Sequence, residues 1–257
     1  MLCKDIIHLI EDTYPTQAAM EWDNVGLLVG RSEKQVKTIC VALDVTEEVI
    51  DEAIAKGVDM LITHHPLLFS PVKTITDETL IGNRVVKLLQ HDISYYAMHT
   101  NYDVFRMAGL SAELLGLERK EVLDVTTEDG VGIGMVGELP DFITLSTCCE
   151  LIKDKFQLQG VKVFGDLATP VKRVAISPGS GKHMSELAVA KGADVFVTGD
   201  IDHHEGLDAV SEGMAIVDAG HYGLEHIFIK DIAHFLAEKA NEIDVLEAEV
   251  KHPFQFV

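Results

Sequence analysis

The chain contains the segment VKTICVALDVTEEVIDEAIAKGVDMLIT (36–63), which aligns without a gap with VKRVAISPGSGKHMSELAVAKGADVFVT (171–198). Both segments end in A-x-A-K-G-x-D and then a threonine. Each predicts a strand, a helix that ends at a glycine, and a second strand buried on both faces. A unit of this kind joins parallel strands through a right-handed crossover. We therefore expect an α/β protein with two related halves and an internal duplication, although any two such units resemble each other to some degree.

The remaining segments fit the same class. The sequence predicts strands near 93–100 and 214–220, and one long amphipathic helix that begins at His221. The glycine-rich stretch 130–140 predicts a strand or hairpin at the opening of a second domain. We expect mostly parallel or mixed sheets in three layers.

The domain bounds follow from this order of elements. Residues 1–125 plus 216–257 are expected to form a first α/β domain that carries the functional residues. Residues 126–215 are expected to form a second α/β domain.

The charge balance excludes several classes of function. The 257 residues include 42 Asp and Glu against 21 Lys and Arg, a formal net charge of −21. An acidic surface of this kind repels phosphate backbones and anionic lipid. We therefore expect neither nucleic-acid nor membrane binding. The N-terminus is not typical of a signal peptide, and the four cysteines include no C-x-x-C pair. These features favour the reducing cytoplasm.

The strongest chemical signal lies at the ends of three predicted strands. His and carboxylate side chains follow these strands at positions His64, His65, Asp103, His221 and Glu225. Functional groups gather at the carboxyl ends of strands in parallel α/β sheets, and an i, i+4 pair leaves one face of a helix. Imidazole with carboxylate is a ligand set for Zn, Fe, Mn or Ni. The alternative is that His64 and His65 are an ordinary pair of loop histidines.

Five motifs in order resemble the Nif-three-like dinuclear-metal family, also known as GTP cyclohydrolase I type 2 homologues. The motifs are EWDNVGLLVG, LITHHPLLF, MHTNYD, FVTGDIDHH and DAGHYGLE. The resemblance implies a two-domain α/β protein with two divalent metal ions per chain, usually assembled as a hexamer. It places the metal ligands on the same five residues, and it implies hydrolytic opening of the GTP imidazole ring with formate release.

Such a reaction needs a proton donor and a means of holding an anionic nucleotide. His99, His203 and His204 are candidates for the proton donor, and Trp22, Asp23 and Asn24 are candidates for orienting a ligand imidazole. The turn SPGSG (177–181) has no Walker motif, and a plain strand-to-helix turn is favoured over a phosphate cradle. No basic cluster is evident. The alternatives are a non-catalytic oligomeric metal-binding or regulatory protein and a hydrolase of another nucleotide or phosphate ester.

Overall fold

The computed structural model describes residues 1–255 and 257. The described strands are β1 (Gly26–Val29), β2 (Thr38–Ala42), β3 (Met60–Thr63), β4 (Ser94–Ala97), β5 (Glu118–Val125), β6 (Gly132–Thr144), β7 (Lys162–Phe164), β8 (Pro170–Ser180), β9 (Val195–Gly199), β10 (Ala215–Asp218) and β11 (Asp244–Glu247). The α-helices are α1 (Cys3–Glu11), α2 (Glu47–Ala55), α3 (Leu80–Gln90), α4 (Thr100–Tyr102), α5 (Ala108–Leu114), α6 (Leu145–Phe156), α7 (Ser185–Ala190), α8 (His203–Ser211), α9 (His221–Glu225) and α10 (Ile227–Lys239). A 3₁₀ turn (Thr16–Ala18) and a π-helical turn (Asp103–Met107) complete the chain.

The chain divides into two compact units. The first unit comprises Met1–Tyr102 and Ile227–Val250, and the second comprises Asp103–His226 and Lys251–Val257. These bounds differ from the expected ones because β5 and β10 are both hydrogen-bonded into the sheet of the second unit. The expected single long helix is in fact α9 and α10, separated at the buried His226.

The first unit is built on a five-stranded sheet of order β1-β4-β3-β2-β11. Strands β4, β3, β2 and β11 are parallel to one another. Strand β1, at one edge of the sheet, is antiparallel to β4. Thr46 caps the N-terminus of helix α2, because its hydroxyl accepts a hydrogen bond from Val49 N at 3.2 Å. The core includes Ile50, Leu61 and Tyr95, all fully buried. Burial of each such apolar side chain contributes roughly 2 kcal/mol to folding.

The second unit contains a six-stranded sheet of order β5-β6-β8-β9-β10-β7. Strands β8, β9 and β10 are parallel, whereas β5, β6 and β7 pair antiparallel to their neighbours. The two mixed sheets with their helices confirm the α/β class. No helix in the described chain is both long enough and apolar enough to span a bilayer.

The two halves share their register. In the first unit Ile39 pairs with Met60, and in the second Val174 pairs with Val195. These pairs are the same positions in the gapless alignment of 36–63 with 171–198. The internal similarity of the sequence is therefore a similarity of strand pairing as well.

Each copy of the repeat has an aspartate at the same position, and its carboxylate accepts two backbone hydrogen bonds. Asp59 Oδ2 accepts hydrogen bonds from the backbone N–H groups of Lys37 and Thr38, at 2.8 and 3.1 Å. Asp194 Oδ2 accepts the equivalent pair from Lys172 and Arg173, both at 2.8 Å. These bonds satisfy N–H groups at the start of β2 and within β8. The same side-chain contact therefore joins two neighbouring parallel strands in each half.

Candidate metal centre

His64 and His65 follow β3 at its carboxyl end. The Thr63 hydroxyl donates a hydrogen bond to the backbone carbonyl of His65 at 2.8 Å, and the Tyr95 hydroxyl donates to the same oxygen at 3.0 Å. Tyr95 lies on the adjacent strand β4 and is fully buried. The turn that carries the two histidines is therefore held by both strands.

His99 follows β4 and joins the two histidines of the first unit. The centroid of the His99 ring lies 5.1 Å from that of His64 and 5.6 Å from that of His65. One nitrogen from each of the three rings lies within 4.8 Å of the others. His64 is fully buried, whereas the other two are partly exposed. The structure thus places His99, expected as a proton donor, within a histidine cluster of metal-binding type.

Each ring of this cluster is oriented through its Nδ1 atom. The acceptors are Met98 O for His64 at 3.0 Å, Asp44 Oδ1 for His65 at 2.7 Å and Asp23 Oδ1 for His99 at 2.9 Å. A neutral imidazole that donates from Nδ1 presents a lone pair at Nε2. Such oxygen acceptors also fix the ring orientation and raise the basicity of a metal-binding histidine. The three residues therefore fit nitrogen ligation of a divalent transition metal.

The surroundings of Asp23 favour its ionised carboxylate. Burial alone would raise the pKa of its carboxyl group, but hydrogen bonds from His99 and from the Thr100 hydroxyl and N–H lower the pKa to about 2. The Thr100 hydroxyl in turn accepts a hydrogen bond from Met20 N at 2.9 Å. The segment before β1 is therefore joined to the end of β4 through a charged group, as expected for a residue that orients an imidazole.

The second unit carries the pair His221 and Glu225 on α9. His221 Nε2 lies 3.0 Å from Glu225 Oε2, and His221 Nδ1 lies 2.8 Å from Asp200 Oδ2. Asp200 has a positive φ of 57°, a conformation that non-glycine residues adopt uncommonly and often at functional sites. The Glu225 side chain is only 4% exposed. A buried carboxylate is costly unless a positive group compensates its charge, which suits metal ligation.

Glycines let the backbone approach this pair closely. A Cβ atom added at Gly179 would lie 2.4 Å from Glu225 Oε1, and one added at Gly199 would lie 2.4 Å from His221 N. Gly179 belongs to the SPGSG segment, which extends β8 instead of forming a separate cradle. The SPGSG segment therefore packs directly against the carboxylate of Glu225.

Asp103 is the first residue of the π-helical turn Asp103–Met107 and is partly buried. π-Helical turns are rare in proteins, and those that occur are often found at functional sites.

His203 and His204 lie exposed in the first turn of α8, with ring centroids 5.3 Å apart. His204 lines a surface cavity between α7 and α8. Among the described residues, neither belongs to a group of three side chains with metal-binding geometry.

The profile of the Duf34/NIF3 (NGG1p interacting factor 3) family matches residues 1–253. The chain belongs to the DUF34/NIF3 family. A Clostridium perfringens protein named GTP cyclohydrolase 1 type 2 homolog is 37% identical over 263 residues, and the match covers 100% of both proteins. This result confirms the resemblance found in the sequence motifs.

Solved structures of similar proteins share the fold. A Staphylococcus aureus hypothetical protein superposes with a TM-score of 0.90 at 31% identity, covering 100% of this chain and 99% of that one. A Bacillus cereus protein related to NIF3 superposes with a TM-score of 0.91 at 28% identity, with the same coverage. The α/β fold with two similar halves is therefore that of the DUF34/NIF3 family.

Two orienting carboxylates were not predicted from the sequence. Asp44 lies two residues after the end of β2, and β2 is the parallel neighbour of β3, which His65 follows. The carboxyl ends of neighbouring parallel strands lie at one edge of a sheet, so this placement was available as a signal. Asp200 stands opposite His65 when the gapless alignment is continued by two residues beyond Thr198, but its contact with His221 depends on the position of α9.

Proposed function

We propose that this DUF34/NIF3 protein is a metal-dependent hydrolase with a dinuclear centre. Its ligands are His64, His65, Asp103, His221 and Glu225. The observation that carries the proposal is the orientation of His64 and His65, whose rings each donate from Nδ1 to an oxygen acceptor. The buried Glu225 carboxylate beside His221 adds a negative ligand. Two divalent ions of Zn, Fe, Mn or Ni, when bound, would polarise the substrate and lower the pKa of water.

In this proposal His99 transfers a proton to the leaving group. Asp23 holds its Nδ1–H at 2.9 Å, so the ring keeps one tautomer and one orientation. The carboxylate beside it also stabilises the protonated form of the imidazole. His203 and His204 remain candidates for the same role, although their place at the start of α8 gives them less support.

The substrate class that we propose is a purine nucleotide whose imidazole ring is opened with release of formate. The support is the name GTP cyclohydrolase 1 type 2 homolog, carried by relatives of similar length. The net charge of −21 disfavours capture of a triphosphate by the general surface. Binding would therefore depend on the metal centre and on contacts with the uncharged part of the nucleotide.

The test is to measure formate release from GTP with protein that has been stripped and reloaded with each metal. The variant His65→Ala should lose activity, whereas His234→Ala should retain it because His234 is exposed on α10. If no metal restores formate release, the cyclohydrolase activity is refuted. Hydrolysis of another nucleotide or phosphate ester would retain the hydrolase class. Inertness toward all of them would favour a non-catalytic metal-binding or regulatory protein.

We also propose that the protein is a cytoplasmic homo-oligomer, with six subunits as the expected number. The support is the family resemblance, together with the four buried free cysteines that suit a reducing compartment. Sedimentation equilibrium at micromolar concentration should give a mass well above the 28.2 kDa of one chain. A species of one-chain mass would contradict the proposal.

A further inference from the structure

Two large aromatic rings stand exposed beside the histidine cluster of the first unit. Trp22 is 59% exposed and Phe69 is 53% exposed. Their ring centroids lie 5.7 Å apart with an angle of 42° between the ring planes. Because most of each ring faces solvent, the pair adds less to the stability of the fold than a buried pair would. We call these two residues the aromatic pair.

The aromatic pair is held in place by polar contacts of the residues next to it. The Asn24 side-chain amide donates a hydrogen bond to the backbone carbonyl of Leu68, which directly precedes Phe69. The Asp23 carboxylate accepts one from Asn24 N at 2.8 Å and another from Thr100 N at 3.0 Å. The two loops that carry the rings are thus tied to each other and to the end of β4. The loops that present the two exposed rings are therefore held by hydrogen bonds within the protein.

Both rings also touch the histidine that we propose as proton donor. The His99 ring lies 6.0 Å from Trp22 and 6.4 Å from Phe69, with angles of 73° and 67° between the planes. These are edge-to-face contacts, so His99 can cover at most one of the two faces of each aromatic ring. The pair therefore forms an exposed apolar surface of two tilted rings beside the histidine cluster.

We propose that Trp22 and Phe69 form a stacking surface for the planar heteroaromatic ring of the substrate, and so determine specificity for a nucleobase. This inference rests on the proposed function, because it names the part of the substrate that the same site recognises. A planar ring stacks on tryptophan and phenylalanine whatever its hydrogen-bonding pattern. Stacking also needs no positive charge, which agrees with an acidic protein that must select a nucleotide by its uncharged part.

The composition of the chain allows a direct measurement. Trp22 is the single tryptophan, so its emission reports on the proposed surface alone. Metal-free, full-length protein is titrated with guanosine, with ribose 5-phosphate as the non-aromatic control, under excitation at the red edge of tryptophan absorption. We expect saturable quenching by guanosine and none by ribose 5-phosphate. Equal responses to the two compounds, or no response to either, would overturn the proposal.

A variant of the second ring separates stacking from a general effect on fluorescence. Phe69→Ala should weaken guanosine binding by about tenfold, the usual loss for one stacked base. Phe69→Tyr should retain binding because it keeps the ring face. Phe142→Ala is the matched control, since Phe142 is 68% exposed but lies on β6 in the second unit. Unchanged affinity in Phe69→Ala, or an equal loss in Phe142→Ala, would refute the assignment.

Two further outcomes are distinguishable. If Trp22 emission shifts on dilution of the protein alone and guanosine causes no quenching, a second copy of the chain covers the pair and the proposal fails. Because quenching is measured without metal, its presence supports the stacking surface even if no formate is released. Formate release without quenching would instead leave the proposed function intact and overturn this inference alone.

Discussion

The Asp23 carboxylate, which has no solvent-exposed surface, lies 2.9 Å from Nδ1 of His99. The same carboxylate accepts a hydrogen bond from Thr100 N at 3.0 Å. One buried charge thus positions a histidine of the candidate site and links the segment before β1 to the start of α4. Stability and site geometry are coupled at this residue.

Asp23→Asn should lower the free energy of unfolding by about 2 kcal/mol at neutral pH, from the gap between the pKa of about 2 and the ordinary value of 3.8. A carboxyl group with a lowered folded-state pKa stabilises the fold above its unfolded pKa. That stabilisation is lost as the pH falls through 2. Urea unfolding between pH 6 and pH 2 should therefore show the difference between wild type and variant shrinking with acidification.

Asp154→Asn provides the control for this experiment, because the Asp154 side chain is 77% exposed. It should unfold like wild type throughout the pH range. A difference between Asp23→Asn and wild type that stays constant from pH 6 to pH 2 would show that charge at Asp23 is not its cause.

Removal of a proposed ligand should reduce the metal content. His64→Ala and Glu225→Ala are each expected to lose at least one of about two ions per chain, because each removes one of the proposed metal ligands. Elemental analysis of gently purified protein measures the ratio. His234→Ala is a matched control, since His234 and Glu238 repeat the i, i+4 spacing of His221 and Glu225 on an exposed helix face. Wild-type metal content in both ligand variants would contradict the ligand set.

The fold was predictable where the sequence pattern is local and periodic. The gapless repeat predicted β2, α2 and β3, and with them the strand end that presents His64 and His65. The edge strands β7 and β11 were not predicted, since they have three and four residues, too few for a clear alternation. Their strand character comes from pairing with β10 and β2.

The break between α9 and α10 was not predictable from periodicity either. The sequence around His226 continues an amphipathic helical pattern, but His226 Nε2 donates to the backbone carbonyl of Phe156 at 2.9 Å. Burial lowers the pKa of His226 and so favours its neutral imidazole. Likewise, the contacts of Asp44 and Asp200 with histidines depend on tertiary packing. Sequence patterns place ligands at strand ends, whereas packing decides what orients them.

Loss of an orienting carboxylate should weaken metal binding without abolishing it. Asp44→Asn and Asp200→Asn remove the negative charge at Nδ1 of His65 and His221, and asparagine tolerates the positive φ at residue 200. We expect about tenfold weaker affinity in each. Competition against a chromogenic chelator measures this change. Asp51→Asn is the control, because Asp51 is exposed and pairs with Lys87; an equal loss there would refute an orienting role.

The close approach of backbone at Gly199 gives the last prediction. A Cβ atom at this position would lie 2.4 Å from His221 N and 2.7 Å from the carbonyl carbon of Gly220, both of them backbone atoms that cannot move aside as a flexible side chain can. Gly199→Ala should therefore lower the free energy of unfolding by about 2 kcal/mol, and it should also reduce metal content because it displaces the start of α9. Gly109→Ala is the matched control: Gly109 lies in α5 with open space around its Cβ position, so alanine should leave metal content unchanged and raise stability by up to about 1 kcal/mol. Chemical denaturation and elemental analysis of both variants measure these effects. A Gly199→Ala protein with wild-type stability and full metal content would mean that the backbone contact does not position His221.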